Sequence, residues 1–273
     1  MKNPIIAELK KLKLISNSSI VTLKNKTRDK NIKVLKDTKS KIIFLDKFIT
    51  GDKYYSSVKY DFKKSKNPRT IIENVKTIHG IVKTPMIQDD ERRISQFKKI
   101  LKNKDILDFG CGNGGFLRGL KNYKSLSGVE LRKDCIDNIK RQKKKIHISN
   151  NINTFKNKFD VITIFHVLEH VPHQVETLRM LKSKLKSKGK IIIEVPHAND
   201  FLILQDELDA FKNFAFWKEH LVLHTKESLK KIILKSGFKK VNIQYYQRYN
   251  FANHLGWLIK KKPGGHMFYN NIV

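Results

Sequence analysis

A chain of 273 residues, 40% hydrophobic and 10% aromatic, can bury one large α/β core with an added cap, which excludes a disordered polymer. Only nine of the 57 basic residues are arginines, and the 48 lysines spread along the whole chain. The formal charge of +32 therefore reads first as a solvated basic surface of AT-rich codon usage, with a polyanion partner as the alternative.

Two cysteines, Cys111 and Cys135, lack CxxC spacing. That excludes a disulfide framework and a thiolate metal site, and it fits a reducing cytoplasm. The apolar runs are strand-sized, so no membrane span is expected, and the N-terminus lacks the apolar core of a secretory signal. Instead, Ile5, Ile6, Leu9 and Leu12 predict one face of a basic amphipathic helix. Residues 41–48 read as a strand, and 67–82 as a helix following a proline. A helix over 89–104 carries Ile94, Phe97, Ile100 and Leu101 on one face.

From there strands and helices alternate. Strands are predicted in "DILDFG", "SLSGVEL", "IHIS", "FDVITIFHV", "KIIIEVP" and "KKVNIQYYQ". Helices are predicted in "GGFLRGLKNY", "RKDCIDNIKRQKKK", "VETLRMLKSKLKSKG" (closed by Gly189) and "TKESLKKIILKSGF", the last capped by Thr225 and Gly237. The alternation predicts a mostly parallel sheet covered on both faces, with ligands bound at the carboxyl ends of its strands.

The residues just past each strand are therefore the candidates for chemistry. "DILDFGCGNGGF" sets Asp108, Gly110, Gly112 and Gly114 between a buried strand and a helix, and Glu130 ends the next strand about 20 residues on, placed to accept ribose hydroxyls. The loop reads D-x-G-x-G-x-G, and a carboxylate ahead of the first glycine repels a pyrophosphate but suits a cationic ligand. After the fourth strand come His166, Glu169, His170 and His173 within eight positions, with His220 further on. Histidine titrates near neutral pH and ligates metals, so these residues are candidates for a base or a metal site. His173 reads as surface.

With these motifs the chain resembles the class I S-adenosylmethionine-dependent methyltransferases over residues 89 to 245, in "DFGCGNG", "GVEL", "FDVITIFHVLEHV", "LKSKGKIIIEVPH" and "EHLVLHTKESLKKIILKSGF". The resemblance implies a Rossmann-like seven-stranded sheet with helices on both faces, its last strand antiparallel. It implies S-adenosylmethionine as cofactor and S-adenosylhomocysteine as product. Asp108, Gly110, Cys111, Gly112 and Gly114 would then hold the methionine part, Glu130 and Leu131 the ribose, and Asn151 the adenine, with His166 facing the transferable methyl. His166, Glu169, His170 and His220 become the catalytic candidates.

This organisation gives an N-terminal cap (1–88), a cofactor-binding core (89–245) and a tail (246–273) whose Tyr246, Arg248, Tyr249 and His254 suit a polar acceptor. The tail and the "VLEH" motif loosely resemble methyltransferases of bacterial surface-sugar pathways, which implies O-methylation of a sugar or nucleotide-linked glycan precursor. Two alternatives stand beside it. The histidine pattern resembles small-RNA 2′-O-methyltransferases, which would make His166, Glu169, His170 and His220 ligands of a divalent ion. The other is a catalytically silent cofactor-binding partner subunit.

Overall fold

In a computed structural model of the chain, residues 2–58, 70–77, 80–142 and 144–263 are described. The elements run α1 (Pro4–Lys11), β1 (Ile20–Lys24), β2 (Val34–Asp37), β3 (Ile43–Leu45), α2 (Asp52–Ser57), β4 (Thr70–Thr77), β5 (Gly80–Ile87) and α3 (Gln88–Leu101). Next come β6 (Asp105–Phe109), α4 (Gly115–Gly119), β7 (Ser125–Val129), α5 (Lys133–Lys140), β8 (His147–Ser149) and β9 (Phe159–Phe165). The remainder is α6 (Gln174–Ser183), β10 (Leu185–Glu194), α7 (Phe201–Leu204), α8 (Asp209–Ala215), β11 (Val222–Leu223), α9 (Lys226–Lys235) and α10 (Phe251–Lys260).

The chain folds into two units, one of Thr50–Leu168 and Met180–Glu194, the other of Met1–Ile49, Glu169–Arg179 and Val195–Val273. This grouping differs from the boundaries drawn at 88/89 and 245/246.

The first unit holds a five-stranded parallel sheet in the order β10-β9-β6-β7-β8. β6 is central, and the strand order reverses between β6 and β9, the switch point at which such sheets bind ligands. The strands are Ile/Val/Leu/Phe runs because both faces are covered. Ile106, Leu126, Val161 and Phe165 pack with Phe116, Leu117 and Ile139 of the helices. At the amino ends of the strands Lys186 Nζ joins Asp105 (2.7 Å) and Asp160 (2.8 Å).

The second unit is built on a four-stranded sheet in the order β1-β2-β3-β11, with antiparallel pairings. The expected face of α1 is buried, all four apolar residues being at most 7% exposed. Asn3, itself buried, caps α1 and donates to the carbonyls of Leu45 (2.9 Å) and Leu221 (3.1 Å). α9 has the predicted Thr225 cap, reinforced by Ser228 in a capping box, and Gly237 beyond its end has φ +91°. His224 is buried between Gln174 (2.7 Å) and Ser228 (3.0 Å), and burial pushes its pKa down to about 4, so it is a neutral core residue.

Three element expectations are corrected. Residues 70–77 and 80–87 form the antiparallel strand pair β4–β5 where 67–82 read as helix, and residues 67–69, 78 and 79 lie outside the described ones. Thr70, Ile71, Ile72, Val75 and Thr77 are β-branched, which favours a pleated surface over a helix. α6 stops at Ser183, and Gly189 lies inside β10, whose register against β9 shifts between Leu185 and Lys190. The stretch 239–247 pairs with no strand among the described residues and is irregular, so the described parallel sheet has five strands.

Candidate functional site

The glycine loop comes directly after β6. Gly110, Gly112 and Gly114 have φ of +77°, +53° and +75°, a conformation only glycine adopts without strain. A Cβ on Gly110 would overlap Val167 Cγ2, so the first glycine is required by space as well as by backbone. The loop is tied to β7 by the Gly110 and Cys111 amides, which donate to the Val129 carbonyl at 2.8 and 3.0 Å. Burial pushes the Cys111 thiol well above its usual pKa and the Cys135 thiol up to about 12, so neither is a thiolate nucleophile.

Asp108 is the penultimate residue of β6, 4% exposed, and accepts from Thr163 Oγ1 of β9 at 2.7 Å. Burial raises its pKa to about 7, against the Thr163 hydrogen bond; such a carboxyl gains most from a cationic neighbour. Glu130, 6% exposed, lies just past β7 and accepts at Oε2 from the Gly112 amide (2.8 Å). Its Oε1 accepts from the amides of Leu131 and Arg132 (3.0 Å each) and from Arg132 Nε (3.2 Å). Three of these bonds fall on Oε1 and one on Oε2, so Oε2 is the oxygen with a lone-pair direction for a ribose hydroxyl. Asn151 precedes the turn Ile152–Thr154 and caps it, its Oδ1 accepting from the Asn153 amide at 2.9 Å.

His166 lies just past β9 with φ +53°, unusual for a side-chain-bearing residue. Its amide donates to the Glu194 carbonyl at 2.8 Å, and its Nε2 lies 3.3 Å from Glu194 Oε1. Glu194 went unrecognised as a site residue, although it ends a predicted strand. It also accepts from Arg92 Nη2 at both oxygens (2.8 and 2.7 Å) and from Arg93 Nη2 (2.6 Å). The "ERR" that brings both arginines read only as a helix start.

Glu169, His170 and His220 lie in the second unit, and three ligand atoms, one from each, fall within 4.8 Å of one another. Glu169 is fully buried. His170 Nδ1 is 2.7 Å from the Glu219 carbonyl and His220 Nδ1 is 3.1 Å from the Ala215 carbonyl. A carbonyl only accepts, so both Nδ1 atoms carry protons, and His170 Nε2 lies 3.9 Å from Glu169 Oε1. His166, the fourth residue of the expected ligand set, belongs to the sheet unit and pairs with Glu194. In the tail Tyr246 is 53% exposed, Arg248 lies over the Tyr249 ring at 5.6 Å, and His254 Nδ1 is 2.9 Å from the Asn250 carbonyl.

A parallel sheet with a glycine loop and two acidic strand ends at its switch point defines a Rossmann-like enzyme of the nucleoside-cofactor class. A family model described as a methyltransferase domain matches residues 86–243. The chain belongs to this family, and it is an S-adenosylmethionine-dependent methyltransferase. This sets aside the silent-subunit reading.

Among relatives, the tRNA U34 carboxymethyltransferase of Helicobacter pylori (strain P12) is 28% identical over 205 residues, which cover 65% of this chain and 76% of that one. The ubiquinone biosynthesis O-methyltransferase of Coxiella burnetii (strain Dugway 5J108-111) is 27% identical over 108 residues, covering 36% of this chain and 46% of that one. The crystal structure of a SAM dependent methyltransferase from Archaeoglobus fulgidus is 26% identical, covers 60% of this chain and 74% of that one, and has a TM-score of 0.47. Among the described residues no helix is long and apolar enough to cross a membrane.

Proposed function

We propose that the chain methylates a hydroxyl of a small polar acceptor, with His166 as general base. The observation that carries this reading is the placement of His166 just past β9, next to the strand that holds Asp108 near its carboxyl end, in a conformation its neighbours hold against its own preference. In the proposed step the acceptor proton passes to His166 while an oxygen lone pair forms the new bond to the methyl carbon. The carbon–sulfur electrons stay on sulfur, leaving a neutral thioether. Asp108 and the glycine loop would hold the methionine part of the cofactor, Glu130 the ribose and Asn151 the adenine.

The name of the Coxiella relative supports oxygen as the target atom. The tail residues Tyr246, Arg248, Tyr249 and His254 would supply ring faces and a cation to a sugar-like acceptor. Two buried cysteines without a disulfide support a cytoplasmic setting.

The test is transfer of radiolabelled methyl from S-adenosylmethionine to three probes: a nucleotide sugar, a catechol and unfractionated tRNA. Label in either small molecule, reduced about 100-fold or more by His166→Ala with S-adenosylhomocysteine affinity unchanged, is the expected result. Label in tRNA alone overturns the small-acceptor reading.

The Glu169–His170–His220 cluster favours a second reading, metal-assisted ribose 2′-O-methylation of RNA, in line with the +32 charge and the tRNA-acting relative. Two imidazole lone pairs and a buried carboxylate fit a divalent ion, and the nitrogen donors favour Zn²⁺, Mn²⁺ or Fe²⁺ over Mg²⁺. Such an ion would polarise an acceptor oxygen. On this reading chelation abolishes transfer to tRNA, Mn²⁺ restores it, and His220→Ala prevents the restoration. Undiminished transfer in chelator discards it.

A further inference from the structure

We infer that Glu194 is a positioning residue for His166: it accepts the proton on Nε2 of the ring, which makes Nδ1 the atom that takes the proton of the acceptor. This rests on the reading of His166 as the base.

β9 and β10 are parallel neighbours in a register that sets Phe165 beside Glu194, so the chain turns into His166 alongside that residue. Glu194 then holds His166 twice. Its carbonyl accepts the His166 amide at 2.8 Å, fixing a backbone at φ +53° that a histidine tolerates only when its surroundings impose it. Its carboxylate lies 3.3 Å from Nε2.

An ionised carboxylate can only accept, so the nitrogen facing it is the protonated one, and a neutral imidazole keeps its lone pair on the other nitrogen. Glu194 is ionised. Burial opposes this, but the His166 ring 3.3 Å away and hydrogen bonds from Arg93 and Arg92 outweigh it and hold the carboxyl well below the usual range. Arg93 is itself fixed, by Asp90 at 3.1 Å and over the Phe165 ring at 4.5 Å, and Arg92 lies 3.8 Å from Asp89. Glu194 touches no reacting atom in this scheme; it sets the tautomer and orientation of the ring that does.

The test needs no acceptor. Protein labelled with ¹⁵N at histidine is titrated by NMR in saturating S-adenosylhomocysteine, with His166→Ala identifying the signal. The expected wild-type spectrum shows the Nε2-protonated tautomer. Glu194→Gln should lower the titration midpoint of His166 by about one to three pH units, and Glu194→Asp should recover part of that shift. S-adenosylhomocysteine affinity should stay within about twofold in both, because neither change removes a cofactor contact.

An Nδ1-protonated wild-type ring, or equal midpoints in wild type and Glu194→Gln, overturns the inference. If Glu194→Gln fails to fold, the wild-type tautomer still decides. Retained methyl transfer in His166→Ala would instead overturn the base assignment while leaving the Glu194 pairing intact.

Discussion

Gly110→Ala is expected to weaken S-adenosylhomocysteine binding by more than about 100-fold, or ~3 kcal/mol, and to lower the melting temperature by roughly 5 to 15 °C. Two separate costs add. A side chain at φ +77° costs roughly 1–2 kcal/mol, and forcing a methyl into the space of Val167 costs about 1–3 kcal/mol more. The displaced neighbour is the residue directly after His166 in the chain, so the loop and the end of β9 would move together.

Gly112→Ala provides the control. Its added methyl meets nothing closer than Arg132 Nη2 at 3.9 Å, so only the backbone cost at φ +53° remains. Calorimetric titration and melting curves of the two variants should therefore be graded, with Gly110→Ala far the worse. Equal losses would mean that the close packing on Val167 does not govern the loop.

Asp108→Asn should separate stability from binding. The carboxyl has its pKa raised from 3.8 to about 7 by burial, so between those values the folded chain holds a proton that the unfolded chain has released. Stability is then highest at acid pH, falls as pH rises through that window by at most about 1.4 kcal/mol per unit, and levels off above about 7. Asparagine keeps the acceptor for Thr163 Oγ1 and has no charge to desolvate. The variant should therefore melt with wild type near pH 4 and above it at pH 8. It should also bind S-adenosylhomocysteine roughly 10- to 150-fold more weakly, the value of a hydrogen bond to a charged group. Parallel melting curves across pH would show that Asp108 carries no buried charge. Undiminished binding would remove Asp108 from the proposed site of the methionine part.

The parts legible in the sequence are those whose causes lie within a few residues. Strand, glycine loop and helix succeed one another over 105–119, and Glu130 directly follows the next strand. Thr225 caps its helix, and the α1 face is set by a single period. The strand pair β4–β5 was hidden because Ile71, Ile72 and Val75 also fit a helical spacing; the density of β-branched residues and Gly80 were the better guide. The stretch 239–247 has strand-forming residues, yet a strand exists only where a partner ladder exists, and that partner cannot be read locally. Glu194 was illegible for the same reason. Its meaning comes from the register of β10 on β9 and from arginines about 100 residues earlier, and no local pattern records either.

The strand order of the antiparallel sheet carries a consequence for synthesis. β3 pairs on one side with β2, ready early, and on the other with β11, where Ile43 meets Leu223. At ribosomal speeds of ~5–20 residues per second, the roughly 180 residues between them take on the order of 10 to 40 s to emerge. For that interval a nascent edge rich in isoleucine and phenylalanine has unpaired amides and carbonyls, a state prone to wrong pairing and a natural client for chaperones. Slow codons between Leu45 and Val222 would lengthen this exposure, and the chain's yield should depend on how quickly that stretch is made.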